Sequence, residues 1–509
     1  MHRTLRAGYR GAMVSVWTAT AEIPSYDALR ADENAEVVVI GGGWVGLTTA
    51  LLLAQEGADV VLLEADRLGS RTSGHTTGKV TSQHGAIYAD LIDRHGEDKA
   101  RLYAEANQAA VGRVAELAES HAIDCELIRT PAFVYSPDSE SEMKREAEAA
   151  VSLGLPAQLT AGAEVGVPAP AAAAVRFSTQ VQLHPVKYLA GLAKALTEAG
   201  GRIFEHTRVV EFDEKDDVVK VSTQAGPKVR ARHAVVATLL PFGLTGGYFT
   251  KARPQQSHGI AIRLPVEAPV GMAISTGAVT RSTRPWPGGG PNGLIVVGGG
   301  HEVGTVEDTE AIYQGLIDWV SSTWNYSCQA EYRWSAHDYS TPDLLPYVGK
   351  SPGSSSVLVA TGLRKWGLSN GMVAAGILSD LIAERTNPWA DLYDAGRIGD
   401  AKAVAKLLKD NLKVGKDFAT GHLSRALHGG LDHLEVGQGG LFEIDGQTVG
   451  AYRDRQGTLH TVKPTCTHVG CALSWNNADT SWDCSCHGSR FSPDGTVLDG
   501  PATKPLDPS

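Results

Sequence analysis

The sequence predicts an α/β domain with an α+β insertion, followed by a small all-β domain at the C-terminal end. Three observations lead to this prediction. A strand, glycine-rich turn, helix and second strand occupy residues 36–63, buried-strand patterns recur at 232–238 and 357–361, and short strands with turns surround four cysteines after residue 431. A chain of 509 residues corresponds to about three domains at roughly 100 to 200 residues each.

The first element is a dinucleotide-binding βαβ pattern. Gly41, Gly43 and Gly46 follow an apolar strand and open an apolar helix, and a second strand ends in Glu64, 23 positions after Gly41. Glycines at these positions let the backbone approach a pyrophosphate at the helix N-terminus, and the acid can accept ribose hydroxyls. A glycine motif alone is a weak signal, but here both strands and the acid are in register. The motif predicts an adenine dinucleotide, which could be NAD or FAD.

Four separate stretches of the chain, 36–80, 182–238, 339–349 and 357–371, together resemble the D-amino-acid oxidase (DAO) superfamily of flavoproteins. The resemblance spans roughly residues 36–390 and implies FAD rather than NAD. It also implies the glutathione-reductase-2/DAO arrangement, in which a Rossmann-like FAD-binding domain is interrupted by an α+β substrate domain. The FAD-binding segments are then 36–85, 181–250 and 336–390, and the substrate-domain inserts are 86–180 and 251–335.

Two cysteine and histidine pairs lie near the C-terminus. Cys466 and His468 form one pair, and Cys484 and His487 form the other. Such a set can hold a [2Fe-2S] cluster, with two thiolates on one iron and two imidazoles on the other. Zinc is the alternative, since it also takes Cys and His, but zinc ribbons usually show Cys-x-x-Cys knuckles. The spacing resembles a Rieske cluster site, which places an all-β Rieske domain at residues 428–509.

The Rieske resemblance implies further features. Rieske proteins of the cytochrome bc complexes carry two extra cysteines in a disulfide that clamps the cluster loops, and the matching residues here are Cys471 and Cys486. Ser489 should hydrogen-bond to a cluster sulfur, whereas Phe491 stands where bc-type proteins have a tyrosine hydroxyl. Hydrogen bonds to the cluster sulfurs raise the reduction potential, which spans about −150 to +300 mV in Rieske clusters. Because one hydroxyl donor is missing here, we expect a reduction potential below the top of that range.

Composition narrows the class of protein. A net charge of −11 argues against nucleic acid or an anionic membrane surface as a partner. No apolar run approaches the roughly 18 residues that span a bilayer. Cys125 and Cys328 are the remaining cysteines, which is typical of a cytoplasmic protein rather than of a secreted disulfide framework. Residues 1–35 are predicted to form an N-terminal extension, with Met1 or Met13 as the start, and residues 396–427 a helical linker.

The DAO resemblance also implies which residues contact the flavin. Gly41, Gly43, Gly46 and Glu64 should hold the ADP half, and the stretch 362–382 should close the isoalloxazine end, where a helix N-terminus favours negative charge on the reduced ring. The predicted cofactor-binding residues are Gly41, Gly43, Trp44, Val45, Gly46, Glu64, Ala65, Ser73, His75, Thr76, Thr77, Lys79, Val209, Ala237, Thr238, Gly362, Lys365, Trp366, Gly367, Leu368 and Ser369.

Three of these residues are the candidates for catalysis. His75 occupies the position at which the sarcosine and dimethylglycine dehydrogenase branch links a histidine covalently to the flavin, and a noncovalent contact is the alternative. Lys79 and Lys365 are the predicted cations near the ring. Ser369 replaces the carboxylate-binding lysine of the sarcosine oxidase branch, which puts a simple amino-acid carboxylate in doubt. Three residues of the second insert could bind an anion instead: Arg281, Arg284 and His258.

The predicted function is that of an FAD-dependent dehydrogenase whose electrons leave through an iron-sulfur cluster. A small amine or amino-acid-like substrate is expected to reduce FAD by hydride transfer from a C–N bond, after which electrons pass to the Rieske cluster and on to an external acceptor. Oxidation of a C–OH bond is one alternative. An electron-transfer flavoprotein without its own small-molecule substrate is another. A second motif for NAD(P)H is not seen, because Gly298, Gly299 and Gly300 follow a strand but no helix pattern and no acidic strand end come after them.

Overall fold

The computed structural model describes residues 14–397 and 431–509. Most of the predicted linker 396–427 lies outside the described residues, as do the helix-prone stretch 400–411 and both candidate start sites. Among the described residues, no helix is long and apolar enough to cross a membrane.

A six-stranded sheet forms the centre of the FAD-binding domain. Five of its strands run parallel and one edge strand is antiparallel. Successive side chains of the first strand point to opposite faces: Val37 and Val39 join the core under the helices, whereas Val38 and Ile40 join the core on the other side. The strands lie in the order Tyr347–Lys350, Val357–Thr361, His233–Val236, Val37–Ile40, Val60–Leu63 and Arg202–Phe204.

Helices cover one face of this sheet and a second sheet covers the other. The long helices on the first face are Trp44–Gln55, Pro185–Glu198 and Ser369–Ile382, and the short helix Ala390–Tyr393 joins the same core. The opposite face packs on a four-stranded sheet, in the order Glu33–Asn34, Lys228–Ala231, Val218–Thr223 and Val209–Lys215. The buried strands therefore read as continuous apolar runs.

The two inserts build most of the second domain around a nine-stranded sheet, to which Lys79–Val80 and the end of Tyr332–Ser340 are added from the neighbouring FAD-binding segments. Its helices are Tyr88–His95, Glu97–Ser120, Glu140–Ser152 and Glu310–Trp324. Eight strands lie in the order Tyr332–Ser340, Arg253–Arg263, Gly293–Glu302, Arg281–Pro285, Met272–Ser275, Ile128–Ser136, Ala173–Gln182 and Lys79–Val80, and Ala157–Ala161 pairs with Ala173–Gln182. The predicted α+β substrate domain is therefore confirmed.

The C-terminal domain is all-β, as predicted. Its first sheet contains Gly439–Ile444, Gln447–Arg453 and Leu459–Val462, and its second contains Leu473–Asn476, Ser481–Cys484, Arg490–Phe491 and Val497–Asp499. Asp445 and Gly446 join the first two strands with φ of 50° and 75°, which is the two-residue turn expected from an Asp-Gly pair. Short 3₁₀ helices complete the described chain at Thr72–Gly74, Gly162–Val165, Thr245–Thr250, Pro287–Gly289 and Leu431–His433.

Residues 14–35 fall within the predicted N-terminal extension, and four of them, Ser15, Val16, Trp17 and Leu29, are buried against the rest of the molecule. The helix Val16–Thr20 is capped by the Ser15 hydroxyl, which accepts from the Thr18 amide. Trp17 is fully buried against the edge of the substrate domain, and Val14 pairs with Arg333.

Candidate functional site

The three motif glycines are required by close backbone approaches. Gly41 has a φ of 109°, and a Cβ atom there would lie 2.6 Å from the carbonyl oxygen of Ala237. A Cβ on Gly46 would lie 1.9 Å from the carbonyl oxygen of Gly41, which explains why the helix packs so close to the strand. A Cβ on Gly43 would lie 2.9 Å from Ser73 Oγ. The turn therefore leaves the helix N-terminus open toward a ligand.

Glu64 lies at the end of the second strand, where the motif places its acid. Its Oε2 accepts from the Gly42 amide at 2.7 Å and its Oε1 accepts from the Asp66 amide at 2.8 Å. Burial raises the pKa of Glu64, and these amides act against that effect. The carboxylate thus has a fixed orientation at one end of the cavity described below.

A cavity of about 770 Å³ lies between the FAD-binding domain, the substrate domain and the C-terminal domain. Most of the predicted cofactor-binding residues line it. They are Gly41, Gly43, Trp44, Val45, Glu64, Ala65, Ser73, His75, Thr76, Thr77, Val209, Ala237, Thr238, Lys365, Trp366, Gly367 and Leu368. The cavity is therefore continuous from the glycine-rich turn to the loop before the helix Ser369–Ile382.

Four predicted residues lie behind the cavity wall. Gly46 packs closely against the Gly41 backbone, and Gly362 packs closely against the Thr341 side chain. The Ser369 hydroxyl lies 2.8 Å from His84 Nε2. Lys79 is buried, and its Nζ donates to the Ala273 carbonyl oxygen at 2.9 Å and to Ser282 Oγ at 2.6 Å. Burial, followed by repulsion from Arg284, lowers the pKa of Lys79 well below its ordinary value.

The segment from His75 to Gly78 is held by side chains that bind each of its carbonyl oxygens. Trp334 Nε1 donates to the His75 carbonyl at 2.9 Å, and Trp17 Nε1 donates to the Thr76 carbonyl at 2.6 Å. Arg284 Nη1 donates to the carbonyls of residues 77 and 78 at 3.2 and 3.1 Å. The Arg284 guanidinium also lies over the Trp17 ring. Arg284 is thus committed to the backbone rather than to a substrate anion.

The ring of His75 is fixed as well. Its Nδ1 lies 2.8 Å from the Arg71 carbonyl oxygen, to which it can only donate, so the neutral ring has its free lone pair on Nε2. Burial lowers the pKa of His75. Whether this histidine is covalently linked to a flavin stays a prediction.

The other end of the cavity is a strained turn. Arg364 and Lys365 have φ of 56° and 66°, which is uncommon for two consecutive residues other than glycine. The turn is pinned because Asp338 Oδ2 accepts from the Lys365 amide and the Tyr339 carbonyl oxygen accepts from the Arg364 amide at 3.1 Å. Burial raises the pKa of Asp338 to about 6, and burial lowers that of Lys365.

His84 supports the aromatic residue that follows this turn. Its ring stacks on Trp366 with centroids 4.8 Å apart, and its Nδ1 lies 2.7 Å from the Tyr103 hydroxyl. Burial lowers the pKa of His84 to about 3, so the ring stays neutral. No sequence motif marks His84, because its partners come from distant parts of the chain.

The substrate domain covers the cavity with three consecutive glycines. A Cβ on Gly298 would lie 3.0 Å from Arg281 Nη1, and a Cβ on Gly300 would lie 2.8 Å from Lys365 Nζ. The absence of side chains at Gly298 and Gly300 therefore leaves space for the cationic side chains of Arg281 and Lys365. Arg281 lines the cavity, and its Nε is buried without a partner. His258 is buried beside His301 and does not line the cavity.

The four predicted iron ligands converge in the C-terminal domain. Cys466 and Cys484 are buried free cysteines, and their thiols interact with each other. The rings of His468 and His487 lie 5.1 Å apart, and the Nδ1 atom of each is buried without a partner. Two thiols and two orphaned imidazole nitrogens are the donor set of a [2Fe-2S] cluster with mixed ligands. The residues present therefore fit the predicted cluster.

The loops around these ligands contain the predicted disulfide and the predicted serine, whereas the reduction potential stays a prediction. Cys471 and Cys486 form the predicted disulfide, which joins the two loops. The sulfur atoms of this bond lie within 4.8 Å of the Cys484 sulfur but are not available as ligands. The hydrogen bond with Cys484 is the main cause that lowers the pKa of the Cys466 thiol, and the Ser489 hydroxyl also interacts with this thiol and lowers its pKa, as expected of a donor to sulfur. Phe491 is fully buried and supplies no hydroxyl.

The cluster ligands face the oxidoreductase domain. His468 Nε2 lies 2.9 Å from the Gly243 carbonyl oxygen, and the Tyr339 hydroxyl donates to the His487 carbonyl oxygen at 2.9 Å. The ring of Phe249 is nearly perpendicular to both histidine rings, and its centroid lies 5.0 Å from the centroid of each. Since Nε2 of His468 donates to a carbonyl, its Nδ1 carries the lone pair that a metal needs.

A polar contact holds the C-terminal domain in this position. Asp479, in the turn after the strand Leu473–Asn476, accepts from Gln256 Nε2 at 2.7 Å and from Ser335 Oγ at 2.6 Å. It also pairs with Arg490 of its own domain. Burial alone would raise the pKa of Asp479, but Arg490 and the hydrogen bonds outweigh it, and the pKa lies below its ordinary value.

The C-terminal domain also contributes to the cavity. Leu498, Asp499, Gly500, Ala502 and Thr503 form part of its lining. Arg208 Nη2 donates to the Val497 carbonyl oxygen at 3.0 Å and holds this loop beside the Glu64 end. The sequence motifs did not predict this contribution, since nothing in the local spacing of residues 497–503 indicates a contact with a distant domain.

Comparison with known proteins agrees with this geometry. The family model described as FAD dependent oxidoreductase (DAO) matches residues 36–381, and the Rieske [2Fe-2S] domain model matches residues 431–508. The chain is 35% identical to the putative Rieske 2Fe-2S iron-sulfur protein YhfW of Bacillus subtilis, over 96% of each chain.

Two further relatives match the oxidoreductase part. Gamma-glutamylputrescine oxidoreductase of Escherichia coli is 30% identical over 42% of this chain and 50% of its own length. The crystal structure of glycine oxidase from Geobacillus kaustophilus superposes with a TM-score of 0.61, at 19% identity, over 72% of this chain and 100% of its own. The latter similarity supports the fold.

Proposed function

The chain belongs to the DAO family of FAD-dependent oxidoreductases and carries a C-terminal Rieske [2Fe-2S] domain, and from this we propose that it dehydrogenates a small amine or amino-acid-like substrate. When bound, FAD accepts a hydride from the substrate C–N bond and the cluster takes up single electrons for an external acceptor. The observation that carries the proposal is the position of the cavity, which lies between the dinucleotide-binding turn, the substrate domain and the Rieske domain.

The residues around the cavity divide the work of binding. The glycine-rich turn and Glu64 would hold the ADP half of FAD, as the cavity and the close glycine contacts allow. The segment His75 to Gly78 would hold the ring portion in place through its fixed backbone. The helix Ser369–Ile382 begins directly after cavity residue Leu368, so its positive end would favour negative charge there.

The substrate side favours an amine that also carries an anionic group. Arg281 and Lys365 approach the cavity at the two ends of the glycine stretch 298–300, where they would orient a carboxylate or similar group. The similarity to gamma-glutamylputrescine oxidoreductase, whose name indicates an amine that also carries an acidic group, supports this choice of substrate class.

An anaerobic titration tests the proposal. Amines, amino acids and alcohols are added singly to the holoprotein, and bleaching of the flavin is followed together with reduction of the cluster. We expect amines with an acidic group to bleach the flavin and then reduce the cluster. Bleaching by alcohols alone would replace the proposal with C–OH oxidation, and bleaching by NADH alone would replace it with electron relay.

Two variants test the predicted orientation of the substrate. Arg281→Met and Lys365→Met should each raise the substrate concentration that half-bleaches the flavin by about tenfold or more, because each removes a charge-assisted contact. Lys144→Met removes an exposed lysine of the substrate domain and is the matched control. Equal titration curves for all four proteins would contradict the role of the two cations.

A further inference from the structure

Tyr339 makes contacts in two directions. It lies near the end of the strand Tyr332–Ser340 and is almost fully buried. Its carbonyl oxygen accepts from the Arg364 amide at 3.1 Å and so fixes the strained turn at the end of the cavity opposite Glu64. Its hydroxyl donates to the carbonyl oxygen of His487, a cluster ligand, at 2.9 Å.

The Tyr339 hydroxyl lies close to the backbone of the cluster loop at both His487 and Gly488. Gly488 follows the ligand His487 with a φ of 77°, and a Cβ atom there would lie 2.6 Å from the Tyr339 hydroxyl. The cluster loop can approach the tyrosine only because this position is a glycine. The Tyr339 ring itself packs in the core beneath the FAD-binding sheet, so the loop meets a rigid surface.

Other contacts at the junction do not combine these properties. Gly243 and Phe249 touch the cluster histidines, but neither lines the cavity. Within the ranges 14–397 and 431–509, Tyr339 alone both lines the cavity and hydrogen-bonds to one of the four cluster ligands.

We propose that Tyr339 is the positioning residue that couples the flavin cavity to the Rieske cluster, by holding the His487 loop against the cavity wall. This inference rests on the electron route of the proposed function. In the step concerned, the reduced flavin loses one electron and the oxidised cluster gains it, while Tyr339 gains or loses neither an electron nor a proton. Transfer between buried centres weakens steeply when the atoms that separate them move apart.

The test is Tyr339→Phe, which keeps the ring and removes the hydroxyl. The flavin of the anaerobic holoprotein is reduced by a light flash with 5-deazariboflavin, so that no substrate is needed, and the rate of cluster reduction is followed. The EPR spectrum and the potential of the cluster are measured in parallel. We expect the rate to fall about tenfold or more, because the His487 carbonyl loses its partner. The EPR spectrum and the potential should stay unchanged.

The matched control is Tyr347→Phe. Tyr347 lies in the same core, is fully buried, and its hydroxyl has no hydrogen-bond partner. This variant should transfer electrons at the unmodified rate.

Three results would overturn the inference. An unchanged rate in Tyr339→Phe would remove the role of the hydroxyl, and an equal fall in both variants would indicate a general packing effect. A slower rate with an altered potential would indicate a change in driving force instead. If the unmodified protein never reduces its cluster after the flash, the electron route of the proposed function itself fails.

Discussion

The Nε2 atom of His468 lies 2.9 Å from the carbonyl oxygen of Gly243, so a predicted iron ligand of the Rieske domain is hydrogen-bonded to the oxidoreductase domain. While this bond is made, that edge of the ring is occupied by the protein's own backbone. The external acceptor of the proposed function would therefore have to approach the cluster from another side.

Replacement of one cluster ligand should remove the cluster and leave the flavin. We expect Cys484→Ser to lose the iron and the EPR signal, because a serine hydroxyl is a poor ligand for iron compared with a thiolate. The FAD content should stay near that of the unmodified protein, since Cys484 does not line the cavity. Cys328→Ser removes a buried cysteine of the substrate domain and should keep both cofactors. Full iron content in Cys484→Ser would contradict the assignment.

Flavin binding should depend on the absence of a side chain at Gly46. We expect Gly46→Ala to be purified without flavin and to be less stable by about 1–3 kcal/mol, because the added atom overlaps the Gly41 carbonyl. Gly112→Ala is the control, since it adds the same atom to the helix Glu97–Ser120 with no atom within 4 Å. Absorbance of the bound flavin and thermal unfolding measure both effects. Normal flavin content in Gly46→Ala would be the contrary result.

Trp17 should affect the flavin site although it lies near the start of the described chain. Trp17→Phe leaves the Thr76 carbonyl without its donor, so the cavity segment from His75 to Gly78 should loosen. We expect the dissociation constant of FAD, from titration of the apoprotein, to rise about tenfold. Trp324→Phe changes a partly buried tryptophan of the substrate domain and should leave the constant unchanged. An unchanged constant in Trp17→Phe would remove this role.

The contact of Asp479 with Gln256 and Ser335 should hold the Rieske domain in place. We expect Asp479→Ala to lower the stability of the docked arrangement by about 1–3 kcal/mol, because Gln256 Nε2 and Ser335 Oγ then lose a buried acceptor. Hydrogen exchange at residues 335–339 should accelerate. Asp494→Ala changes a more exposed acid of the same domain and serves as the control. Equal exchange in both variants would count against the contact.

Low pH should weaken the docking of the Rieske domain onto the oxidoreductase domain. The pKa values of Asp479 and Asp499 lie below the ordinary 3.8 in the folded protein, since Arg490 acts on both and Arg71 acts on Asp499. A carboxyl with a lowered folded pKa stabilises the fold above its unfolded pKa and loses this contribution as the pH falls through the folded pKa. Docking should therefore be constant near neutrality and fail below about pH 4. Protection factors at residues 335–339, which correct hydrogen exchange for the intrinsic effect of pH, measure it, and Asp479→Asn should lose part of the acid dependence. A change in these protection factors between pH 7 and 8, above the pKa of about 6 of Asp338, would contradict this.

The sequence predicted the features that depend on local spacing. The glycine-rich turn, the acid 23 positions after Gly41 and the four cluster ligands are each set by a few neighbouring residues, and the structure brings each group together. Contacts between domains have no such signal. Tyr339, Asp479 and Trp17 find partners more than fifty residues away, and no periodic pattern indicates which distant group a buried side chain will meet.

The loop at residues 498–503 has a consequence for how the holoprotein is made. Because this loop forms part of the wall of the flavin cavity, that wall is complete only when the Rieske domain has docked. We therefore expect the nucleotide to meet a more open site in the oxidoreductase domain before docking than after it. We also expect the flavin to be lost faster when the two domains separate, because part of the cavity wall is then removed.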